Sequence, residues 1–355
     1  MLYLIPIEPL TERYTESWYR NIPLLFKEYT IIDGQPLIDN DIKVGTFLDI
    51  NSTVNYKCVQ LQKICQLFNS GKIKNGDVFF FYDLEFWGIE VVKLMAQLNN
   101  VDIKVCAFLH AASYTHGDAF EVAAPYQQYT EVGWFTICDK IFVGSEYHKR
   151  AFYDRRLKNY VPFKDYDSKV VVTTNPMFSI DYKDFGREKQ NLILLCNRLD
   201  EEKGVMNTLK LFERAWRSDW IFRVVTSRKT LRSNNPQIIE YLMELVGKGI
   251  VDLKYGLTKD EYHQQLARAQ ITVSHSPEES FGICIAESLI YGCTPMLLNN
   301  ASHPEFVKYG AVLFEQQNDL QTLQSLMECR PKAWYDIDKG KLAIQHEVNL
   351  LLGEV

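Results

Sequence analysis

The chain has 355 residues, 46% of them hydrophobic and 24% charged, with a formal net charge of -6. This composition excludes a disordered or low-complexity polymer, and the length exceeds one ordinary core, which calls for two domains of about 150 to 200 residues each. The acidic balance excludes a surface that is basic throughout, while leaving room for one local basic patch.

Short runs rich in Val, Ile and Phe alternate with amphipathic stretches, the pattern of strand-helix-strand units around a buried parallel sheet. The first run, LYLIPI, lies in an opening, MLYLIPIEPL, that lacks the basic flank of a signal peptide and is broken by two prolines. Strands are then expected at GTFLDI, DVFFFYD, KVCAFLH, KIFVGS and KVVVTTN, with helices over 57–68, 88–98 and 147–153. A polar segment, SIDYKDFGREKQ, follows, and the alternation restarts with NLILLCNR, WIFRVVTS, VDLKYG, ITVSHS and TPMLLN. From about Asp319 the pattern is helical, in LQTLQSLMEC and GKLAIQHEVNLLL. The economical reading is α/β, with two doubly wound domains at 1–180 and 181–330. The piece at 331–355 is a terminal helix able to cross back onto the first domain. Ligands of such domains bind at the carboxyl ends of the strands, which makes a cleft faced by both domains the expected site.

No apolar run reaches the roughly 18 residues of a membrane-spanning helix. The eight cysteines form no C-x-x-C pair. A soluble or at most peripheral protein in a reducing, cytoplasmic compartment is expected.

The stretch SHSPEESFGICIAESLIYG, residues 274–292, holds Glu279 and Glu287 on either side of Phe281-Gly282. The glycine marks a helix start after the strand ITVSHS, and Glu287 falls two turns into that helix on its apolar-rich side. A carboxylate there needs a partner. A ribose would supply two hydroxyls, and the helix start would supply N–H groups and a positive dipole end for phosphate. Taken alone, Glu278 and Glu279 also read as first-turn charges that complement the dipole, with Glu287 solvated.

The segment PEESFGICIAESLIYGCTP resembles the E-x7-E signature of retaining nucleotide-sugar glycosyltransferases of the GT-B fold, family four in particular. Upstream, NRLDEEKG is similar to that family's Arg and Lys-Gly diphosphate segment, and VGSEYHKRAF and VVTTNPM are similar to the end of its first domain. The resemblance is close over residues 138–300. It implies two Rossmann-like domains facing a cleft, with Arg198 and Lys203 neutralising a donor diphosphate. Glu279 would contact the transferred sugar, Glu287 would hold the ribose, and Ser280, Phe281, Gly282 and Ile283 would line the donor. His110, at the end of KVCAFLH, is the position from which the family approaches the donor sugar; it reads otherwise as a surface histidine at a strand end. The implied catalytic set is Glu279, His110, Arg198 and Lys203. The implied donor is a nucleoside-diphosphate sugar, UDP above all, with no cofactor or metal required.

The family's glycine-rich turn after the first strand is missing, and IPIEPLTERYTESWYRN stands in its place. Glu8, Arg13, Tyr14 and Trp18 either take over part of its work or pack the domain edge; Arg13 and Tyr14 are the acceptor candidates among them. Two D-x-D matches, Asp165 to Asp167 and Asp336 to Asp338, follow no suitable strand, so no metal site is expected. Asp83 and Glu85 read as a solvated strand end. Residues 148–164, HKRAFYDRRLKNYVPFK, carry six Lys or Arg against one acid, a local charge of +5. Phe152, Tyr153, Tyr160 and Phe163 are interleaved with these charges. Lys149, Arg150, Arg155 and Arg156 therefore suit a polyphosphate with accessible bases or an anionic membrane, and equally a solvated helix face.

The opening LIPIEPLTERYTESWY is loosely similar to glycosyltransferases of tailed bacteriophages. This makes a 5-hydroxymethylpyrimidine in phage DNA the leading acceptor, modified in the host cytoplasm, with a flipped base if the DNA is duplex. A lipid or saccharide acceptor is the alternative, and a nucleotide-sugar epimerase or a non-catalytic binding protein are the rivals. The oligomeric state and the identity of the sugar are not legible.

Overall fold

The computed structural model describes residues 1–11, 13–37, 49–118, 120–186, 188–226 and 230–354. The chain divides into two compact units, Met1–Phe178 with Asp338–Val355, and Ser179–Ile337.

The first unit holds strands β1 (Leu2–Ile5), β2 (Tyr29–Ile31), β3 (Val78–Phe81), β4 (Lys104–Leu109), β5 (Lys140–Val143) and β6 (Val170–Val172). Among the described residues they form one parallel sheet in the order β2-β1-β3-β4-β5-β6. Its helices are α1 (Tyr14–Asn21), α2 (Ile50–Asn69), α3 (Ile89–Leu98), α4 (Ala124–Ile137), α5 (Glu146–Phe152) and α6 (Phe163–Lys169). A π-helical turn, Tyr153–Leu157, continues α5. Alternate residues of each strand face opposite sides, so Tyr3, Ile5, Phe79, Phe81, Val105 and Ala107 pack under Ile64, Ile89, Val92 and Trp134 of α2, α3 and α4. On the other side Leu2, Leu4, Phe80, Phe108 and Phe142 meet Trp18 of α1 and two residues of the chain's last helix, Ile344 and Val348. Each such buried apolar side chain stabilises the fold by about 1.5 to 3 kcal/mol. That last helix, Lys339–Leu352, is part of the first unit, and its Gln345 donates to the Leu25 carbonyl.

The second unit holds β7 (Leu192–Leu195), β8 (Ile221–Thr226), β9 (Asp252–Tyr255), β10 (Ile271–Ser274), β11 (Thr294–Leu298) and β12 (Val312–Phe314). These also run parallel, in the order β12-β11-β10-β7-β8-β9. Helices α7 (Val205–Ala215), α8 (Pro236–Gly247), α9 (Lys259–Arg268), α10 (Ile283–Ile290) and α11 (Asp319–Glu328) flank the sheet, and the terminal Lys339–Leu352 is α12. Read from β9, the second sheet has the doubly wound order 3-2-1-4-5-6, whose chain reversal falls at β7 and β10. The first sheet reverses at β1 and β3.

Two strands were not legible: β2 and β12, each three residues long and each at a sheet edge. The expected strand GTFLDI lies mostly outside the described residues. Its end is described and is helical: the Asp49 carboxylate caps α2 by accepting from the N–H groups of Asn51 and Ser52 at 2.9 and 3.1 Å, and Ile50 opens the helix.

Candidate donor site and its surroundings

Both glutamates of the sequence motif lie on the loop and helix that follow β10, and Arg198 and Lys203 lie on the loop that follows β7. The chain reversal of the second sheet therefore brings the two segments side by side. The strand ends are tied by Asn197, whose side-chain amide donates to Ser274 Oγ at 2.9 Å. Gly204 sits at φ 64°, and a Cβ built there would lie 2.2 Å from the His275 carbonyl oxygen. Only glycine lets the first loop lie this close to the second. The result is a direct contact: Lys203 Nζ donates to Glu279 Oε2 at 2.9 Å, across 76 positions of sequence. Burial disfavours the Glu279 carboxylate, yet Lys203, His303 and Arg198 outweigh it and hold the group below the usual carboxylate range.

Glu279 also stands at the entrance of α10. Gly282, at φ 94°, is the residue before the helix, and a Cβ there would come within 3.3 Å of Glu279 Cγ. The loop is braced from the segment after β11, where Ser302 Oγ donates to the Phe281 carbonyl at 3.2 Å and Asn300 donates to the Pro277 carbonyl at 2.6 Å. Phe281 turns its ring inward against Phe306 and Gly282 is buried beside it, while Ser280 and Ile283 are partly exposed at the helix start. Arg198 is held by two carboxylates, Asp200 at 3.0 Å and Glu202 at 2.7 Å. Asp200 and Glu202 thus orient its guanidinium within its own loop, a pairing the sequence reading did not anticipate.

Glu287 is only 3% exposed. Its two oxygens are engaged from α9: Lys259 donates to Oε1, and Tyr262 Oη donates to Oε2 at 3.0 Å. The ring of His263, wholly buried, lies 3.7 Å away. Burial opposes ionisation, but Lys259 and His263 win and bring the Glu287 pKa to about 2. Sequence reading missed Lys259, Tyr262 and His263. A signal was present in KDEYH, where positions three and four apart share a helix face and follow a strand end. Beneath the loop a second buried chain runs from Thr208 to His275 Nδ1 at 2.9 Å, and from His275 to Asp319 at 3.5 Å. It fastens β10 to α7 and α11.

In the first unit His110 follows β4 and is partly buried, with Nε2–H donating to the Tyr82 carbonyl at 2.8 Å. That bond leaves the ring's lone pair on Nδ1, and burial lowers the ring's pKa. The Tyr14 ring packs against His110 at a tilt of 44°, centroids 5.4 Å apart, and Arg13 is the residue before α1. Trp18 is core, its indole N–H bound to the Pro176 carbonyl at 3.1 Å. Glu8 accepts from Ser52 and Thr53 at 2.6 and 3.0 Å, which fastens β1 to the start of α2. Asp83 and Glu85 are not the solvated strand end expected of them. Asp83 pairs with the buried Lys57 at 2.6 Å, and Glu85 is 6% exposed with its pKa pushed well up by burial and by Asp83.

The basic stretch is smaller in effect than its count of cations. Arg156 binds the buried Glu131 at 2.7 Å and Lys149 binds Asp167 at 2.7 Å, so both serve the unit's own structure. Phe152 is core. Arg150, Lys158 and Lys164 are exposed, as are Tyr160 and Phe163 at 59% and 54%, while Arg155, also exposed, donates to the Tyr114 carbonyl at 3.4 Å and the Tyr147 hydroxyl at 3.3 Å. Asp165 and Asp167 lie on α6. Among the described residues no group of three or more His, Cys, Asp or Glu side chains gathers where a metal ion could be held, and no helix is long and apolar enough to cross a membrane.

Two parallel doubly wound sheets of this order define an α/β protein of the GT-B class, and residues 180–329 match the family model described as Glycosyl transferases group 1. The match lies within the second unit. Among solved structures, the chain is similar to sucrose-phosphate synthase from Thermosynechococcus elongatus at 12% identity and a TM-score of 0.65, over 99% of this chain and 97% of that one. It is similar to Anabaena HepE in complex with UDP and glucose at 11% identity and a TM-score of 0.57, over 98% and 94%. A third likeness is to the pneumococcal O-GlcNAc transferase GtfA in complex with UDP and GlcNAc, at 13% identity and a TM-score of 0.52. That match covers 81% of this chain and spans only 55% of the pneumococcal protein. At such identities the shared property is the fold.

Proposed function

We propose that the chain is a retaining glycosyltransferase that moves a sugar from a UDP-sugar to a hydroxyl acceptor. The observation that carries the reading is the Lys203–Glu279 contact at the chain reversal of the second unit, beside the opening of α10 and two turns from Glu287. In the reaction, negative charge grows on the departing diphosphate and positive charge on the sugar. Lys203, Arg198 and the N–H groups at the start of α10 answer the first, and they supply the positive charge that a metal-independent reaction requires. Glu279 answers the second and also keeps Lys203 in place. No carboxylate is assigned as a double-displacement nucleophile, so attack occurs on the face the diphosphate leaves, and the diphosphate helps take the acceptor's proton. The two UDP-bound likenesses support uracil as the donor base.

For the acceptor, the surface set Arg150, Arg155, Lys158 and Lys164 with exposed Tyr160 and Phe163 supports a nucleic acid, and a hydroxymethylpyrimidine of phage DNA supplies the hydroxyl. Mass spectrometry of hydroxymethylated DNA and of lipid extracts, after incubation with a panel of nucleotide sugars, tests both halves. A glycosylated base is expected, with the anomer of the donor retained by NMR. Glycosylated lipid alone would overturn the acceptor, and donor turnover that needs no acceptor and yields an isomerised nucleotide sugar would overturn the transferase.

A further inference from the structure

We propose that Lys259 is a determinant of donor specificity: with Glu287 it forms a joined donor and acceptor for the vicinal hydroxyls of the donor ribose, selecting ribonucleotides over 2′-deoxyribonucleotides. The inference rests on the reading of the second unit as a nucleotide-sugar site.

The geometry is fixed from the backbone outward. Thr258 and Glu261 form a reciprocal cap on α9, with the Thr258 hydroxyl bound to the Glu261 N–H at 3.3 Å and the Glu261 carboxylate to the Thr258 N–H at 2.8 Å. Lys259 is therefore the first residue of a well-anchored helix, and its stem passes the Tyr262 ring with the ammonium 5.2 Å from the centroid. It ends on Glu287 Oε1, while Tyr262 takes Oε2. The lysine side chain is 37% exposed and the glutamate 4%, so the ammonium is the outermost charge of the pair.

A carboxylate has about four lone-pair positions and an ammonium three N–H donors. After their mutual bond and the Tyr262 bond, Glu287 retains acceptor positions on both oxygens and Lys259 retains donors. A ribose diol needs both kinds of partner, because each hydroxyl donates one hydrogen and offers lone pairs. A carboxylate alone meets only the first need. Removal of the 2′-hydroxyl leaves an acceptor and a donor of the pair unmet in a partly dehydrated place, a loss that discriminates more strongly than any missing methylene. Lys259 also makes the carboxylate usable: the groups facing Glu287 are Lys259, Tyr262 and His263 from α9, Cys284 on α10, Cys196 after β7, Tyr291 after α10, and Tyr182. Of these Lys259 is the permanent cation.

The test is calorimetric binding of UDP, ADP and GDP and of their 2′-deoxy forms to the unmodified chain, Lys259→Met and Lys259→Arg. For whichever base binds tightest, the unmodified chain is expected to favour the ribo form by about 10-fold or more, a ratio that falls to within about threefold in Lys259→Met and is kept in Lys259→Arg. A second readout separates contact from mere packing. Ribonucleotide affinity is expected to stay level from about pH 8 to about pH 5 in the unmodified chain and to fall over that range in Lys259→Met, where only His263 and Tyr262 remain to oppose the effect of burial on Glu287. Should Lys259→Met fail to fold, Lys259→Gln carries the same comparison. An unchanged ratio and a level pH profile in a folded variant that binds nucleotide would overturn the role of Lys259 alone. No diphosphate binding by the unmodified chain would overturn the donor site itself, and this inference with it.

Discussion

Replacing Lys203 by Met removes one charge from the contact that organises the candidate donor site. The lysine and glutamate side chains are 16% and 23% exposed and 2.9 Å apart. At that degree of burial two unit charges near 4 Å interact by roughly 4 kcal/mol before the cost of dehydrating them is subtracted. The same ammonium, turned toward a departing diphosphate, is worth on the order of 3 kcal/mol in the transition state, the scale of a lost electrostatic donor. Lys203→Met is therefore expected to lower the transfer rate at least ~100-fold, and Glu279→Ala to match it. Because the two groups act on one another, Lys203→Met with Glu279→Gln should cost less than the product of the single losses. The assay is release of nucleoside diphosphate with acceptor present, on variants whose melting curves show folded protein. A folded Lys203→Met within about threefold of the unmodified rate would refute the reasoning, since no charge-based role survives so small a loss.

The Glu287 pKa of about 2, against an ordinary 4.5, means that the folded state holds the ionised form more tightly than the unfolded chain does. Its contribution, on the order of 3 kcal/mol, is present above pH 4.5 and lost as pH falls toward 2, so the melting-temperature gap between the unmodified chain and Glu287→Gln should close over that window. Gly204→Ala places a methyl group against the His275 backbone at a left-handed φ of 64°; urea unfolding should show a loss of about 2 kcal/mol or more, together with lost turnover. Arg156→Ala strips the partner from the buried Glu131 and should destabilise the fold by about 3 kcal/mol, visible in the same unfolding experiment. Charge reduction aimed at DNA therefore belongs at Arg150, Lys158 and Lys164, where salt-dependent binding should weaken and flatten while the melting temperature holds.

Most interior strands could be read from the chain because a strand buried on both faces must be apolar at nearly every position, as in Phe79 to Phe81 and Leu192 to Leu195, all with no exposed surface. The edge strands β2 and β12 escaped because three residues of mixed exposure carry no such pattern. The helix start at Gly282 was legible from a glycine after a strand, and the need of Glu287 for a partner from its place on an apolar helix face. The identity of that partner was not. Lys259 is 28 positions away and reaches Glu287 only because α9 and α10 flank neighbouring strands.

The sequence by itself determined the local chemistry: which interior segments are strands, where a glycine-opened helix start lies, and that the setting of Glu287 is too apolar for a carboxylate to stand alone. Only the tertiary structure decided how those charges are used. It paired Lys203 with Glu279 across 76 residues, withdrew Arg156 and Lys149 from the basic surface, and brought Asp83 to the buried Lys57. The physical reason is range. Periodicity and turn signals act over a few residues, whereas the partner of a buried charge is fixed by strand order, and strand order is set by contacts distant in the chain.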